Sequence, residues 1–442
     1  MKKYLLLALC LCLFTSILLT GCGKESSLDE EALAAKAESY SEALVKGDYG
    51  CVTADFDENL AAELNEDKLA EGWQQLTAAV GDYQGHYSTN TEKLTDGSLS
   101  VEVISSFELA AVSVTYTFDA AGKLSGIWSS YTDISEDISG NYQEISLSIG
   151  EYELPGLLTL PEGAEAPPVI LLVAGSGPND MDETIAGINK PFADLAHGLA
   201  QHGIATLRYD KRYCAHPEAA SADKLSIQSE VLDDVKAALE MLSADDRIDN
   251  QRIYVLGHSL GGMLAPCIAS ENSQVKGIII MAGTLRELVE VMVDQTAEAI
   301  DQQADGLSPE ELDAAIQQLE QLQKDAEAIM ALAGDDGNTY QGIPASYWYS
   351  LSQAGGNHYL DKLTCPMLIL QGDADFQIYP DRDYTLWQEK LAGRDNVTCK
   401  LYPGLNHLFM TSSGVRSIAD YYNPGHVAQE VIDDIASWIK AN

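Results

Sequence analysis

The segment Arg252–Met263 constrains the fold of this chain more than any other segment. An apolar run there leads into Gly-His-Ser-Leu-Gly, and helix-forming residues follow at once. This order suits a strand, a sharp turn and a helix, with Ser259 at the tip of the turn. The flanking glycines leave the space that a strained turn needs when neighbouring backbone approaches closely. We predict an exposed nucleophile at Ser259 and a donating amide at Leu260, the alternative being a glycine-rich turn that merely ends a core strand.

Strand and helix alternate on both sides of this segment. The apolar run Pro168–Val173 is continuous, which is typical of a strand in a sheet covered on both faces. We therefore predict an α/β fold for residues 141–442, a doubly wound, mostly parallel sheet. Further strands are predicted at 145–149, 154–160, 204–210, 275–281, 366–372 and 397–402, and helices at 191–202, 227–242, 384–391 and 428–440.

The alternation lapses between residues 285 and 363, where helical patterns dominate. Ser308, Pro309 and Glu311 have the types and spacing of a capping box that starts a helix. We predict that residues 285–363 form a helical cap inserted in the α/β part, the alternative being a peripheral helical subdomain. The apolar residues predicted along one face of the long helix are Leu312, Ile316, Leu319 and Met330. The aromatic residues near the end of the insertion, which could line a pocket, are Tyr347, Trp348 and Tyr349.

Residues 27–132 have a different texture and predict a small α+β domain. Ser27 and Glu30 have capping-box spacing before a helix that reaches about Val45. A second helical stretch covers 65–80, and alternating segments follow at 98–107, 112–118 and 123–131. Helices followed by antiparallel strands are typical of the α+β class.

The first 22 residues have the pattern of a targeting segment. Lys2 and Lys3 precede an apolar run, Tyr4–Leu19, and Leu19-Thr20-Gly21-Cys22 follows. This tetrapeptide resembles the lipobox of bacterial lipoprotein signal peptides, which implies that Cys22 carries lipid and anchors an extracytoplasmic protein to the cell membrane. A membrane-spanning helix is the alternative, but the run of 16 residues is shorter than the ~20 that a bilayer requires.

Composition narrows the classes of partner. The formal charge of −42 repels nucleic acid, so we predict no nucleic-acid role. Five cysteines remain after the predicted signal segment, an odd number at wide spacing, which indicates neither a disulfide framework nor a zinc site. His197, His202 and His216 have no carboxylate at metal-ligand spacing. We predict no metal and no cofactor, and the sequence does not define an oligomeric state.

Candidate partners for the serine stand at the ends of later strands. A serine hydroxyl is a weak nucleophile at neutral pH, so it needs a base, and the base needs an orienting carboxylate. Catalytic groups in parallel sheets gather at the carboxyl ends of strands. Asp373 and Asp375 follow one such end, and His407 follows the next. The order is serine, aspartate and histidine, and Asp375 lies 116 residues after Ser259 and 32 before His407.

Together these motifs resemble the α/β-hydrolase superfamily, particularly bacterial serine esterases related to prolyl-oligopeptidase-like and dienelactone-hydrolase-like proteins. The resemblance implies that Ser259 is the nucleophile, His407 the general base and Asp375 the orienting acid, with Asp373 as the alternative acid. The motifs that carry it are Gly175–Asp180, Arg208–Arg212, Gly257–Gly261, Gly372–Asp375 and Asn406-His407.

The same resemblance implies two oxyanion donors, the amides of Ser176 and Leu260. Family members often have His-Gly before the first donor, whereas Ala174-Gly175 stands here. We expect a structural role for His258, a solvated acidic loop at Asp180, Asp182 and Glu183, and a structural pair between Arg208 and Asp210. The small domain resembles NTF2-like or cystatin-like domains, on the turn Gly47-Asp48-Tyr49 and the region of Trp73.

The sequence therefore predicts a serine hydrolase that cleaves a small-molecule carboxylic ester through an acyl-enzyme and touches the membrane only through its lipid anchor. One alternative is an acyl-peptide or peptide hydrolase, because the same triad cleaves amides. Another is a non-catalytic envelope binding protein, since fold does not fix function.

Overall fold

The structure is a computed structural model that describes residues 28–77, 80–94, 97–107, 111–132, 142–219 and 225–442. The predicted signal segment, its Cys22 and the predicted helix cap Ser27 lie outside the described residues. Within these ranges, no helix combines the length and the apolar character that crossing a membrane requires.

The small N-terminal domain consists of short helices and a four-stranded sheet in the order β1-β2-β3-β4. Strand β2 alternates between buried and half-buried residues, so one face of the sheet packs on a core. Asp29 caps α1, its carboxylate accepting from the Ala32 amide at 3.1 Å. Strand β1 was not predicted, because its residues are mostly polar. The elements are α1 (Glu30–Lys46), α2 (Tyr49–Thr53), α3 (Glu58–Glu63), α4 (Glu66–Thr77), β1 (Tyr83–Lys93), β2 (Leu99–Phe107), β3 (Ala111–Phe118) and β4 (Leu124–Thr132).

An eight-stranded sheet organises the residues from 142 onward. Its order is β14-β13-β10-β9-β7-β8-β6-β5. The six strands from β14 to β8 are parallel, and β6 and β5 complete the sheet in antiparallel pairing. This confirms the predicted fold class. The strands of this part are β5 (Tyr142–Ile149), β6 (Leu154–Pro161), β7 (Val169–Val173), β8 (Ala205–Tyr209), β9 (Ile253–His258), β10 (Val275–Met281), β11 (Thr339–Tyr340), β12 (Ile343–Pro344), β13 (Met367–Gly372) and β14 (Val397–Tyr402).

Two hydrophobic layers cover the faces of this sheet. Neighbouring residues of β9 belong to different layers: Val255 packs in one and Leu256 in the other. Because both faces are covered, the central strands are apolar throughout rather than alternating. The helices are α5 (Pro191–Gln201), α6 (Arg212–Ala215), α7 (Asp233–Ser243), α8 (Leu260–Glu271), α9 (Leu288–Gln303), α10 (Pro309–Met330), α11 (Ala345–Ala354), α12 (Thr385–Lys390) and α13 (Gln429–Ala441).

The segment between β10 and β13 contains α9, α10, the hairpin β11-β12 and α11. Ser308 and Glu311 form the predicted capping box at the start of α10. The predicted apolar face of this helix is wrong in part, since Ile316 is 41% exposed and Met330 is 50% exposed. The buried face uses the later turns, through Leu322, Ala326 and Ile329.

Candidate active site

Ser259 lies on a strained turn between β9 and α8. Its φ of 51° and ψ of −114° are unfavourable for a residue with a side chain, and such strain costs on the order of 1–3 kcal/mol. The turn also brings backbones into contact. A Cβ at Gly261 would lie 2.1 Å from the carbonyl oxygen of Val173, and one at Gly257 would lie 2.1 Å from that of Gly261. The Gly-x-Ser-x-Gly pattern is therefore a steric requirement of this turn.

A buried carboxylate and imidazole meet where β13 and β14 end. The Oδ2 atom of Asp375 lies 2.8 Å from Nδ1 of His407, and the two residues are 0% and 3% exposed. Asp375 also accepts hydrogen bonds from the Gln371 side chain at 2.8 Å and from the amides of Gln377 and Ile378 at 2.8 and 3.0 Å. These donors fix the position of the carboxylate.

Asp373 has a different environment. It is exposed, and its Oδ1 atom accepts from the Gly404 amide at 2.6 Å. That bond ties the loop after β13 to the turn after β14. The sequence offered Asp375 and Asp373 as candidates for the orienting acid. In the structure it is Asp375 that contacts His407.

The loop after β7 passes directly against Ser259. A Cβ at Gly175 would lie 3.2 Å from Cβ of Ser259, so this glycine allows the close approach. The next amide along is that of Ser176, and Leu260 is the first residue of α8. Neither of these two amides donates a hydrogen bond within the described parts of the chain. Two backbone donors thus stand beside Ser259, as an oxyanion site requires.

Glu183 connects the loop after β7 to the loop after β14 through His258. Its Oε1 atom accepts from the Gly175 amide at 2.6 Å and lies 3.0 Å from Nδ1 of His258. The Nε2 atom of His258 lies 2.9 Å from the carbonyl oxygen of His407. A carbonyl oxygen can only accept, so that nitrogen carries a hydrogen. Burial alone lowers the pKa of His258, but the Glu183 carboxylate raises it overall. We therefore assign His258 as an imidazolium paired with Glu183.

The expectation of a solvated acidic loop is wrong for Glu183, which is 2% exposed and has a positive φ of 52°. The Arg208–Asp210 pair is also wrong. Arg208 instead donates to Asp182 and Glu144, each at 2.8 Å. One sequence signal placed Glu183 near the loop after β7, its position eight residues after Gly175. The burial of Glu183 could not be predicted from the sequence.

A second buried chain of polar groups joins the loop after β7 to the segment between β10 and β13. Lys211 Nζ donates to the carbonyl oxygen of Gly175 at 2.9 Å and to Glu230 at 2.6 Å. The other Glu230 oxygen accepts from the Tyr347 hydroxyl of α11 at 2.7 Å. Burial, and next the Glu230 charge, raise the pKa of this phenol. Tyr347, one of the predicted pocket aromatics, is thus connected to the loop after β7 through Glu230 and Lys211.

A cavity of about 550 Å³ opens at Ser259, and its wall away from the serine is largely apolar. Tyr347 and Trp348 line it, whereas Tyr349 does not. No group of three His, Cys, Asp or Glu side chains in the described ranges is arranged to hold a metal ion. The lining residues are Ser176, Gly177, Pro178, Tyr213, Pro217, Leu225, Glu230, Ser259, Leu288, Val291, Met292, Gln295, Ile343, Tyr347, Trp348, Gln377 and Ile378.

The mostly parallel sheet and the serine on a strained strand-to-helix turn define an enzyme of the α/β-hydrolase superfamily. Residues 189–413 match the family described as serine aminopeptidase, S33, and the chain belongs to this family. It is 34% identical over 385 residues to Esterase EstD of Thermotoga maritima, covering 86% of this chain and 88% of that protein. Residues 37–127 match a family of proteins of unknown function, DUF3887, which corresponds to the small N-terminal domain.

Solved structures resemble the hydrolase part. Est1E from Butyrivibrio proteoclasticus is 17% identical with a TM-score of 0.43, over 68% of this chain and 99% of that one. An esterase from Pyrobaculum calidifontis is 17% identical with a TM-score of 0.43, over 68% of this chain and 85% of that one.

Proposed function

We propose that the protein hydrolyses carboxylic esters with Ser259 as nucleophile, His407 as general base and Asp375 as orienting acid. The observation that carries the proposal is the buried Asp375–His407 contact of 2.8 Å, formed at the same edge of the sheet as the strained serine turn. Parallel strands bring their carboxyl ends to one edge, so residues far apart in the chain converge there.

The geometry suggests a sequence of proton transfers. Ser259 Oγ attacks the ester carbonyl while His407 takes the hydroxyl proton, and Asp375 keeps the imidazole in the required tautomer. The amides of Ser176 and Leu260 donate to the oxyanion. Collapse of the tetrahedral intermediate transfers the proton from His407 to the departing alcohol and leaves an acyl ester on Ser259. A water activated by His407 then hydrolyses this ester and regenerates the serine.

The cavity favours an ester over an aminopeptidase substrate. An aminopeptidase needs a carboxylate that can pair with the ammonium group at the substrate's N-terminus. Glu230 is the carboxylate among the described cavity-lining residues, and it is already bound by Lys211 at 2.6 Å and Tyr347 at 2.7 Å. Its charge is thus neutralised within the protein. The 34% identity to a protein named an esterase supports the same choice.

Covalent labelling tests the nucleophile. A fluorophosphonate should modify the purified protein at Ser259, located by peptide mass spectrometry, and Ser259→Ala should not be labelled. Parallel assays with p-nitrophenyl esters and aminoacyl amides should show turnover of the esters. Faster cleavage of the amides would favour the peptidase, and absence of both labelling and turnover would favour a non-catalytic binding protein.

We also propose that the chain is a lipoprotein anchored through Cys22 outside the cytoplasm. The lipobox-like Leu19-Thr20-Gly21-Cys22 supports this proposal. Expressed in a bacterium with radiolabelled palmitate, the wild-type chain should incorporate label and partition into detergent. Cys22→Ser should do neither, and a labelled Cys22→Ser variant would refute the anchor site.

A further inference from the structure

A second cavity, of about 500 Å³, adjoins the cavity at Ser259. The two share Gln295 of α9 and Gln377 of the loop after β13 in their walls. The side-chain amide of Gln295 donates to the carbonyl oxygen of Gln377 at 2.8 Å. These two residues form a partition between the cavities. The second cavity therefore lies next to the cavity at Ser259, beside the loop that carries Asp375 and Gln377.

The walls of the two cavities differ in chemistry. Apolar surface makes up most of both walls, but five glutamines line the second cavity and only two of them also line the cavity at Ser259, among the described residues. Gln303 and Gln318 are exposed and line this cavity. The buried rings of Phe376 and Tyr379 complete the wall.

The charged groups of the second cavity already have partners. Arg416 lies 3.5 Å from the carboxylate of Glu298, and Glu311 accepts from the Ser308 amide at 2.8 Å. An ionic ligand would therefore have to displace an existing contact. A neutral ligand would not have to displace such a contact. Carboxamides both donate and accept hydrogen bonds, so they can pair with hydroxyl groups, which do the same.

We propose that the second cavity binds the alcohol part of the ester and that this alcohol is neutral and polyhydroxylated, such as a sugar. The inference rests on the proposed ester hydrolysis. The apolar cavity at Ser259 then holds the acyl group, and Gln303 and Gln318 orient the leaving group by hydrogen bonds to its hydroxyls. A few placed polar groups commonly give a pocket its specificity.

Two acetate esters with the same acyl group test the proposal: a glucoside acetylated on its primary hydroxyl, and hexyl acetate. Acetate release by the wild type should give a kcat/KM about tenfold higher for the sugar ester, the discrimination expected from one or two neutral hydrogen bonds. In the double variant Gln303→Leu and Gln318→Leu, the ratio of the two kcat/KM values should fall about tenfold. Gln317→Leu, on the same helix as Gln318, is the matched control, because Gln317 is exposed but is not among the residues that line the cavity.

The outcomes separate the two proposals. If Ser259 reacts with a fluorophosphonate and hexyl acetate is cleaved as fast as the sugar ester, ester hydrolysis stands and the polyhydroxylated leaving group is refuted. An unchanged ratio in the double variant refutes the assignment of the cavity. If Ser259 is unlabelled and neither ester is cleaved, both proposals are wrong. Since both glutamines are exposed, the variants should fold, and circular dichroism checks this.

Discussion

Ser259 combines a reactive side chain with a backbone conformation that suits glycine. Its φ is 51°, so removing the side chain entirely should relieve strain, whereas shortening it to a methyl group should not. We expect Ser259→Gly to have a free energy of unfolding about 1 kcal/mol higher than Ser259→Ala, with both variants inactive. Urea unfolding of the two variants measures the difference. Equal stabilities would show that the turn is not strained.

The two aspartates after β13 have roles that substitution should separate. In Asp375→Asn the partner of His407 becomes an amide, which no longer favours the required tautomer, and we expect kcat to fall about 10⁴-fold. Asp373→Asn keeps an oxygen that can accept from the Gly404 amide and loses only a charge at an exposed turn, so its kcat should stay close to that of the wild type. Steady-state assays with one p-nitrophenyl ester compare the two. A large loss in Asp373→Asn alone would move the orienting acid.

At the scale of elements, the site depends on how loops after different strands are held together. Glu183 binds the loop after β7 and, through His258 at the end of β9, the loop after β14. In Glu183→Gln the buried charge is lost although the shape is kept. We expect kcat to fall up to about 10²-fold with little change in KM, because small displacements of reacting groups are costly. A change in KM alone would contradict this positioning role.

The same pair predicts a pH dependence of stability. The pKa of His258 is raised in the folded state, so the pair stabilises the fold fully below the unfolded pKa of about 6.5, and this contribution is lost as pH rises through the folded pKa. The difference in unfolding free energy between wild type and Glu183→Gln should therefore be largest near pH 6 and shrink toward alkaline pH. Urea titrations across this range measure it. A difference that grows with pH would contradict an imidazolium at His258.

Sequence patterns predicted the candidate site residues whose type and position after a strand were both informative. They missed the residue whose place in the site depends on burial. Ser259 and His407 follow apolar strands, and strand ends converge for topological reasons, so their candidacy needed no coordinates. Asp375 and Asp373 have the same chemistry two residues apart, and the conformation of the loop after Gly372 distinguishes them. Glu183 lies in an acidic, loop-like stretch, and no periodic pattern reveals its burial or its positive φ.

The same limit applies to whole elements. The central strands of the hydrolase sheet were predicted because both faces are covered and their apolar runs are continuous. Strand β1 of the small domain escaped prediction because its residues are mostly polar and exposed. In α10 the cap was predicted correctly from three residues, whereas the buried face was placed too early. A capping box is local, but the face that a helix buries depends on what packs against it.

At the scale of the whole molecule, the dominant feature is the excess of acidic groups, 68 against 26 basic ones. Basic side chains near the site are used inside the protein: Lys211 pairs with Glu230 at 2.6 Å, and Arg212 with Asp234 at 2.6 Å. Acidic groups exceed basic groups by 42 charges in the sequence. Like charges then repel one another across the surface and destabilise the compact state.

Salt should consequently stabilise this protein. Raising NaCl from about 0.01 to 0.1 M shortens the screening length from about 30 to 10 Å, which weakens repulsion between surface carboxylates while the buried Lys211–Glu230 pair is screened much less. We expect Tm, measured by calorimetry at pH 7, to rise over this range. Sucrose at matched osmolality is the control, because it does not screen charge. A Tm that falls with salt would mean that surface ion pairs outweigh the net repulsion.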